Sequence, residues 1–189
     1  CCGYRQNMIK EWFANYYLHN SDVTFDFTNH NQMTVHSNVA EPWKVTLIDT
    51  GLNTMTGGRI KKIQKYVQEE TFLLTYGDGV SDLDIIKTVE FHKKHGKIIT
   101  MTTVKPEGRF GIVDIDKNNV INRFTERSRN DVGWVNGGFM VANTGVFNYI
   151  EGDNSTFEKE PLMNLSADGQ LMAFKYDGFW QCMDTQRDK

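Results

Sequence analysis

The sequence predicts an α/β fold with a mixed, mostly parallel central β-sheet. The apolar run 71–76 has the length and composition of a buried strand, and the amphipathic segment 83–95 after it has helical periodicity. The next apolar run, 98–104, completes a strand–helix–strand unit. Because such a unit places its strands parallel in one sheet, we expect a parallel core, extended by the strand-rich segments beyond residue 110.

The other elements follow from periodicity and turn residues. Apolar residues at helical spacing predict a helix over 6–19, and a basic amphipathic helix is expected over 58–68. Gly96 suits the end of helix 83–95. Three short strands are predicted in the first part of the chain, over 23–27, 32–37 and 43–49. The later part adds strands over 111–116, 120–126 and 133–142 and a helix near 156–167.

Length and composition indicate one domain spanning 1–189. The chain has 39% apolar residues and, with 21 basic and 24 acidic side chains, a net charge of −3. This balance argues against nucleic-acid binding. No uninterrupted stretch of apolar residues exceeds four, far fewer than the about 20 that a membrane span needs. Three cysteines, two of them adjacent, make no disulfide framework, so we expect a cytoplasmic protein. Both ends read as interrupted elements, which indicates a fragment of a longer chain.

The tripeptide Gly77-Asp78-Gly79 follows the predicted strand 71–76. In open α/β sheets ligands bind outside the carboxyl ends of strands, and a carboxylate between glycines suits a hard cation such as Mg²⁺ there. A plain Asp-Gly turn is the alternative, and the tripeptide by itself favours that alternative.

Three further segments carry groups suited to phosphates or sugars. The polar loop 50–59 opens the basic helix, where backbone N–H groups and Arg59 would suit a phosphate, although a capped helix start explains the loop better when it is taken alone. Glu126 could accept sugar hydroxyls while Arg127 holds a phosphate, or the two could form part of a salt-bridged edge strand. Asp184 places a carboxylate after an aromatic segment and says little more by itself.

Other catalytic templates do not match. The sequence contains no Walker P-loop, no G-x-S-x-G elbow and no G-x-G-x-x-G fingerprint. His92 and His95 lie three positions apart on helix 83–95, and the two lysines between them indicate a solvated helix face rather than a zinc site.

Taken together and in order, these segments resemble the sugar-1-phosphate nucleotidyltransferase family, almost from end to end. The pair Met55-Thr-Gly-Gly-Arg59 and Tyr76-Gly-Asp-Gly79 is the most specific part, and it overturns the turn interpretation of Asp78. The other matching segments are Glu41-Pro-Trp43, Val45–Gly51, Asp82–Ile85, Gly108-Arg-Phe-Gly111, Asn136-Gly-Gly-Phe139, Phe179-Trp-Gln181 and Met183-Asp-Thr185.

The resemblance implies a Rossmann-like nucleotidyltransferase fold and transfer of a cytidylyl group from CTP to α-D-glucose 1-phosphate. The product would be CDP-glucose, with a place in deoxysugar or surface-polysaccharide synthesis. Carried across by position, the metal ligands for Mg²⁺ would be Asp78 and Asp184. The nucleotide would contact Thr54, Arg59 and Gly77, the sugar pocket would be lined by Gly111, Glu126 and Asn136, and the residues acting directly on the reaction would be Arg59, Asp78 and Arg127.

This sequence departs from the family pattern at three places. The Gly-rich loop and the lysine that the family uses around the nucleotide phosphates would precede Cys1. The family's Glu-Lys-Pro segment is Glu126-Arg127-Ser128 here, which keeps the charge but changes its reach. The proline that the family has before Met-Asp is Cys182.

Residues 20–48 supply strand-forming segments beyond what a minimal core of this family needs. We therefore expect them to form a small β-projection used in homo-oligomer contacts, with a hairpin packed on its own domain as the alternative. Two other functions remain open from the sequence: a catalytically silent remnant that binds nucleotide sugars or assembles with partners, and a transferase with another base or sugar.

Overall fold

The computed structural model describes residues 1–105, 112–125 and 133–188, which fall into two compact units, Cys1–Thr54 and Met55–Lys189. None of the helices in these described ranges is both long and apolar enough to cross a membrane.

The first unit contains a helical segment and a β-hairpin. Helices α1 (Gln6–Ala14) and α2 (Tyr16–His19) lie where one helix is predicted, and strands β1 (Ser21–Asp26) and β2 (Gln32–Asn38) pair antiparallel. These two strands were expected. The third predicted strand, 43–49, is wrong: its residues are described, but they form only an isolated bridge between Asp49 and Cys2. A ladder needs paired backbone groups along the whole strand. Here the Cys2 N–H donates to the Ile48 carbonyl oxygen and the Thr50 N–H donates to the Cys2 carbonyl oxygen, which makes a single bridge.

The second unit alternates helices and strands. Its helices are α3 (Thr56–Ile63), α4 (Ile85–His95) and α5 (Glu160–Ala167), with 3₁₀ turns at Gln64–Tyr66, Thr144–Tyr149 and Gln186–Asp188. Its strands are β3 (Thr71–Leu74), β4 (Gly79–Ser81), β5 (Ile99–Val104), β6 (Ile112–Ile115), β7 (Ile121–Thr125), β8 (Trp134–Asn143), β9 (Leu171–Lys175) and β10 (Trp180–Cys182).

The central sheet is mixed, as predicted, and is organised around the long strand β8. The strand order is β7-β6-β8-β5-β9, and β3 also pairs with β8. Strands β5 and β9 are parallel, whereas the other strand pairings described in this sheet are antiparallel, including that of β3 with β8. The strand–helix–strand unit does run parallel in direction, because β3 and β5 both oppose β8, but β8 lies between them. The expectations of a parallel neighbour for strand 71–76 and of a mostly parallel sheet are therefore wrong, because β3 and most other strands of the sheet pair antiparallel.

The apolar core packs around β5, β8, β9 and α5. Ile99, Met101, Leu162, Leu165 and Leu171 are fully buried there. All six residues of β5 are buried, which explains why its sequence reads as a continuous run rather than an alternation.

Helix α4 ends where the sequence predicts and begins two residues later than predicted. The Asp84 side chain accepts a hydrogen bond from the Lys87 N–H at the N-terminus, and Gly96 ends the helix with a φ of 63°. His92, expected on a solvated face, is instead 2% exposed. Its ring nitrogens hydrogen-bond Thr100 and Asn143 at 2.9 and 3.0 Å, so the histidine joins the helix to the sheet.

Candidate active site

Asp78 and Asp184 are brought together by a short two-stranded ladder. Strand β4 begins directly after Asp78 and pairs antiparallel with β10, with Gly79 opposite Cys182. The backbone N–H of Met183 donates to the Asp78 carbonyl oxygen at 2.9 Å. The two exposed carboxylates and the Cys182 thiol consequently form one cluster, in which the candidate ligand atoms all lie within 4.8 Å of one another.

The Cys182 thiol is held neutral by this environment. Its Sγ donates to Asp184 Oδ1 at 3.2 Å. Burial, this hydrogen bond and the nearby negative charge of Asp78 raise the pKa of the thiol to about 12. The negative charge of the cluster therefore belongs to the two carboxylates, whose oxygen atoms are the donors that a hard divalent cation prefers.

A cavity of about 270 Å³ opens beside the carboxylates. It is lined by the loop that follows β3, by residues 136–138 of β8 and by β10 together with Asp184. Asp78, Asn136 and Asp184, which come from three distant parts of the sequence, thus share one cavity.

Strand β8 bends at this cavity because its pairing with β5 is irregular. Between the pairs Met101–Met140 and Thr103–Asn136, β5 advances by two positions while β8 advances by four. Gly138 takes a φ of 82° at the bulge, and its N–H donates to Asn136 Oδ1 at 2.8 Å. The bulge re-aims the side chain of Asn136 and holds it by a local hydrogen bond.

Tyr76 forms another wall of the cavity. A Cβ atom placed on Gly138 would lie 2.7 Å from the Tyr76 ring, so the ring rests directly against the glycine. Burial, followed by the neighbouring carboxylate of Glu158, raises the pKa of the Tyr76 hydroxyl far above its usual value. Tyr76 is therefore a permanent hydrogen-bond donor.

The other predicted site residues lie elsewhere or are not described. Gly77 adjoins the cavity in the chain, and a Cβ atom there would meet no atom of the described residues within 4 Å. Arg59 lies on α3 and is not among the described residues that line the cavity. Thr54 is a buried residue of the first unit. The predicted positions Gly111, Glu126 and Arg127 fall outside the described residues.

Two cavity residues were missed by the sequence reasoning. Trp180 lines the cavity, and its indole N–H donates to the Gly137 carbonyl oxygen at 2.7 Å. Tyr76 was noticed only as part of a motif. The paired glycines inside a predicted strand could have pointed to both residues, because glycine in a strand often marks a bulge or the close approach of another group.

The chain belongs to the nucleotidyl transferase family, whose model matches residues 4–183. Enzymes of this family generally use a divalent metal ion and bind a nucleotide and a sugar phosphate.

Relatives that match nearly the whole chain specify the type of nucleotidyl transferase. The glucose-1-phosphate cytidylyltransferases of Salmonella typhi and Salmonella typhimurium are 54% identical over 100% of this chain, which spans 73% of each relative. A probable glucose-1-phosphate cytidylyltransferase of Bacillus subtilis is 37% identical over 98% of the chain and 72% of that protein. These matches confirm the predicted family and the enzyme type.

Solved structures confirm the predicted fold. HddC from Yersinia pseudotuberculosis, complexed with GMP-PN, superposes with a TM-score of 0.70 at 20% identity, covering 98% of this chain and 72% of that one. A putative glucose-1-phosphate thymidylyltransferase from Bacillus anthracis gives a TM-score of 0.60 at 18% identity, covering 72% of this chain and 58% of that one.

Proposed function

We propose that this protein transfers a cytidylyl group from CTP to α-D-glucose 1-phosphate, giving CDP-glucose and pyrophosphate. The observation that carries the proposal is the convergence of Asp78 and Asp184 beside Asn136, in a chain 54% identical to glucose-1-phosphate cytidylyltransferases. In the reaction, an oxygen of the sugar phosphate attacks the α-phosphorus of CTP, and the bond from that phosphorus to the pyrophosphate oxygen breaks.

Asp78 and Asp184 would hold Mg²⁺, and the donor set fits this ion. Two carboxylates within one ligand cluster supply hard oxygen donors, and the neighbouring thiol of Cys182 stays protonated and does not compete as a thiolate. When bound, the ion would neutralise negative charge on the phosphates.

The protein groups position the substrates rather than exchange protons. The sugar phosphate is already an anionic nucleophile, so the reaction requires no strong protein base. What the site must supply is charge neutralisation and in-line alignment at the α-phosphate. We assign these tasks to Arg59 near the nucleotide and to Arg127 at the sugar phosphate, with Asn136, Glu126 and Gly111 around the sugar and Thr54 and Gly77 beside the nucleotide.

Pyrophosphate release tests the reaction directly. The protein is incubated with each NTP paired with several sugar 1-phosphates, and we expect the CTP and α-D-glucose 1-phosphate pair to react fastest. Preference for another pair would reassign the base or the sugar. If calorimetry detects binding of CDP-glucose but no pyrophosphate is released, the result would favour the alternative of a catalytically silent remnant that binds nucleotide sugars.

We also propose that the β1–β2 hairpin supplies a homo-oligomer contact. Phe27 and Val39 are 80% and 77% exposed, and Phe25 and Met33 are exposed as well. Removing such side chains from water on association would give a favourable free energy in proportion to the apolar area covered.

A further inference from the structure

One carboxylate, that of Glu158, accepts hydrogen bonds from two hydroxyl groups that belong to different elements. Thr56 donates to Glu158 Oε2 at 2.6 Å, and Tyr76 donates to Glu158 Oε1. The Thr56 oxygen in turn accepts the Phe157 N–H at 2.9 Å, which holds it in line with the carboxylate. All of these groups lie in the second unit, and Glu158 is only partly exposed.

The two hydroxyls belong to two segments with proposed roles in the reaction. The Thr56 hydroxyl lies in the segment expected to bind the nucleotide phosphates, and the Tyr76 hydroxyl lies next to the loop expected to bind the metal. Thr56 is the first residue of α3, within the segment Met55–Arg59. Tyr76 lies two residues before Asp78. Glu158 thus connects helix α3, which would contact the nucleotide, to the loop with the proposed metal ligand Asp78. No role in the site was predicted from the sequence for the segment around Glu158.

Close packing leaves little freedom on either side of this connection. A Cβ atom on Gly57 would lie 2.7 Å from the Ser155 carbonyl oxygen, so the start of α3 is pressed against the segment that leads to Glu158. On the other side, the Tyr76 ring rests on Gly138, whose N–H donates to Asn136 Oδ1 at 2.8 Å. A displacement of Glu158 would therefore reach Asp78 and Asn136 rather than be absorbed locally.

We propose that Glu158 is a positioning residue, which sets the separation between the metal-binding loop 77–79 and the start of α3 through its paired hydrogen bonds to Tyr76 and Thr56. The proposal rests on the proposed function, because that function makes the two segments hold one reacting phosphate between them. In-line transfer is slowed when the reacting groups are misplaced by as little as about 1 Å. Loss of the hydrogen bonds to Glu158 should therefore affect the chemical step more than the binding of the substrates.

The test uses Glu158→Gln, which keeps the shape of the side chain but leaves only one acceptor oxygen for the two hydroxyls. We expect kcat to fall about tenfold or more, with a much smaller change in the KM for CTP, and the Mg²⁺ concentration for half-maximal rate to rise. Mn²⁺ affinity, measured by electron paramagnetic resonance without any substrate, should also weaken by several-fold.

Matched variants separate positioning from simple destabilisation. Tyr149→Phe removes another tyrosine hydroxyl that donates to a carboxylate, that of Asp168 at 2.8 Å, away from the cavity, and it should leave kcat and Mn²⁺ affinity unchanged. Thr56→Ser keeps the donor hydroxyl and should retain activity, whereas Thr56→Val should resemble Glu158→Gln. Tyr76→Phe combined with Glu158→Gln should cost less than the sum of the two single effects.

Two results would overturn the proposal. The first is a Glu158→Gln protein with unchanged kcat and Mn²⁺ affinity. The second is a loss of kcat that accompanies a loss of melting temperature while Mn²⁺ affinity stays normal, since that pattern describes a structural role only. If the unmodified protein binds Mn²⁺ but releases no pyrophosphate from any substrate pair, the proposed function fails, and the Mn²⁺ measurements still decide whether Glu158 positions the loop.

Discussion

The Trp180 indole N–H donates to the Gly137 carbonyl oxygen at 2.7 Å, and this contact joins strand β10 to strand β8. Asp184 follows β10 closely, and Asn136 immediately precedes the acceptor residue. The contact therefore couples the expected metal side of the cavity to its expected sugar side. Gly137 is suited to this role, because a Cβ atom there would lie 3.0 Å from the Thr102 carbonyl oxygen, which leaves little room for a side chain.

Replacement of either clustered carboxylate should abolish most turnover with little effect on folding. In Asp78→Asn or Asp184→Asn, we expect pyrophosphate release to fall by about 10²-fold or more, because each variant loses a charged oxygen ligand. Both side chains are exposed, so the free energy of unfolding should change by no more than about 0.5 kcal/mol. Asp177→Asn, at an exposed carboxylate outside the cavity lining, is the control. Turnover within twofold of the unmodified protein would contradict the metal assignment.

Arg127 lies outside the described residues, and its role stays a prediction. If it faces the sugar phosphate, Arg127→Lys should keep much of the activity, because the positive charge remains. Arg127→Ala should raise the KM for the sugar phosphate and lower kcat. Steady-state kinetics with varied α-D-glucose 1-phosphate checks this, and two nearly silent variants would place Arg127 on the solvent face.

Gly138→Ala should destabilise the protein by about 1–3 kcal/mol. The φ of 82° disfavours any residue with a Cβ atom, and this Cβ would lie 2.7 Å from the Tyr76 ring. Gly152→Ala is the matched control, because a Cβ atom there would meet no neighbour within 4 Å in the described part of the chain. Urea unfolding gives both values, and equal midpoints for the two variants would contradict the argument.

His95 should make stability depend on pH in a defined direction. Burial, and then the charges of His92 and Lys97, lower the pKa of His95 from 6.5 to about 4. Between these two pH values the unfolded chain binds a proton at His95 and the folded chain does not, so protonation favours unfolding. The contribution of neutral His95 to stability is therefore complete above about pH 6.5 and is lost as the pH falls toward 4.

The variant His95→Gln isolates that contribution from the titration of carboxylates. The difference in melting temperature, unmodified protein minus variant, should decrease as the pH is lowered from 7 to 4.5. His95 is partly exposed, so solvent screening should keep the change small, on the order of 1 kcal/mol or less. A difference independent of pH would rule out the lowered pKa.

Light scattering should show a mass above the 21.8 kDa of one chain if the hairpin mediates assembly. Phe27→Glu should then shift the population toward monomer, because it places a charge in an apolar contact. Ile86→Glu changes a 71% exposed residue on α4 and should leave the mass unchanged. A strict monomer at high protein concentration would contradict the proposal.

Local sequence pattern was sufficient for most elements of the second unit. Helix α4 spans Ile85–His95, close to the predicted 83–95, and ends at Gly96 as expected, and the buried strand β5 follows from its apolar run. Asp78, which was named from its motif, lines a cavity, and its role as a metal ligand stays a prediction. These features depend on residues near one another in the chain, whose side-chain types report backbone conformation and burial directly.

Tertiary structure decided which elements became neighbours. The sequence could not show that segment 43–49 would form an isolated bridge with Cys2 instead of a strand, that β8 would lie between β3 and β5, or that His92 would hydrogen-bond inside the protein. Nor could it show that Glu158 would accept from both Thr56 and Tyr76. An amphipathic pattern predicts that one face of an element will be buried, but it does not identify the element that will cover that face. Many pairings bury a similar apolar area, and only one also satisfies the backbone and side-chain hydrogen bonds, so the packing of the whole chain decides the partner.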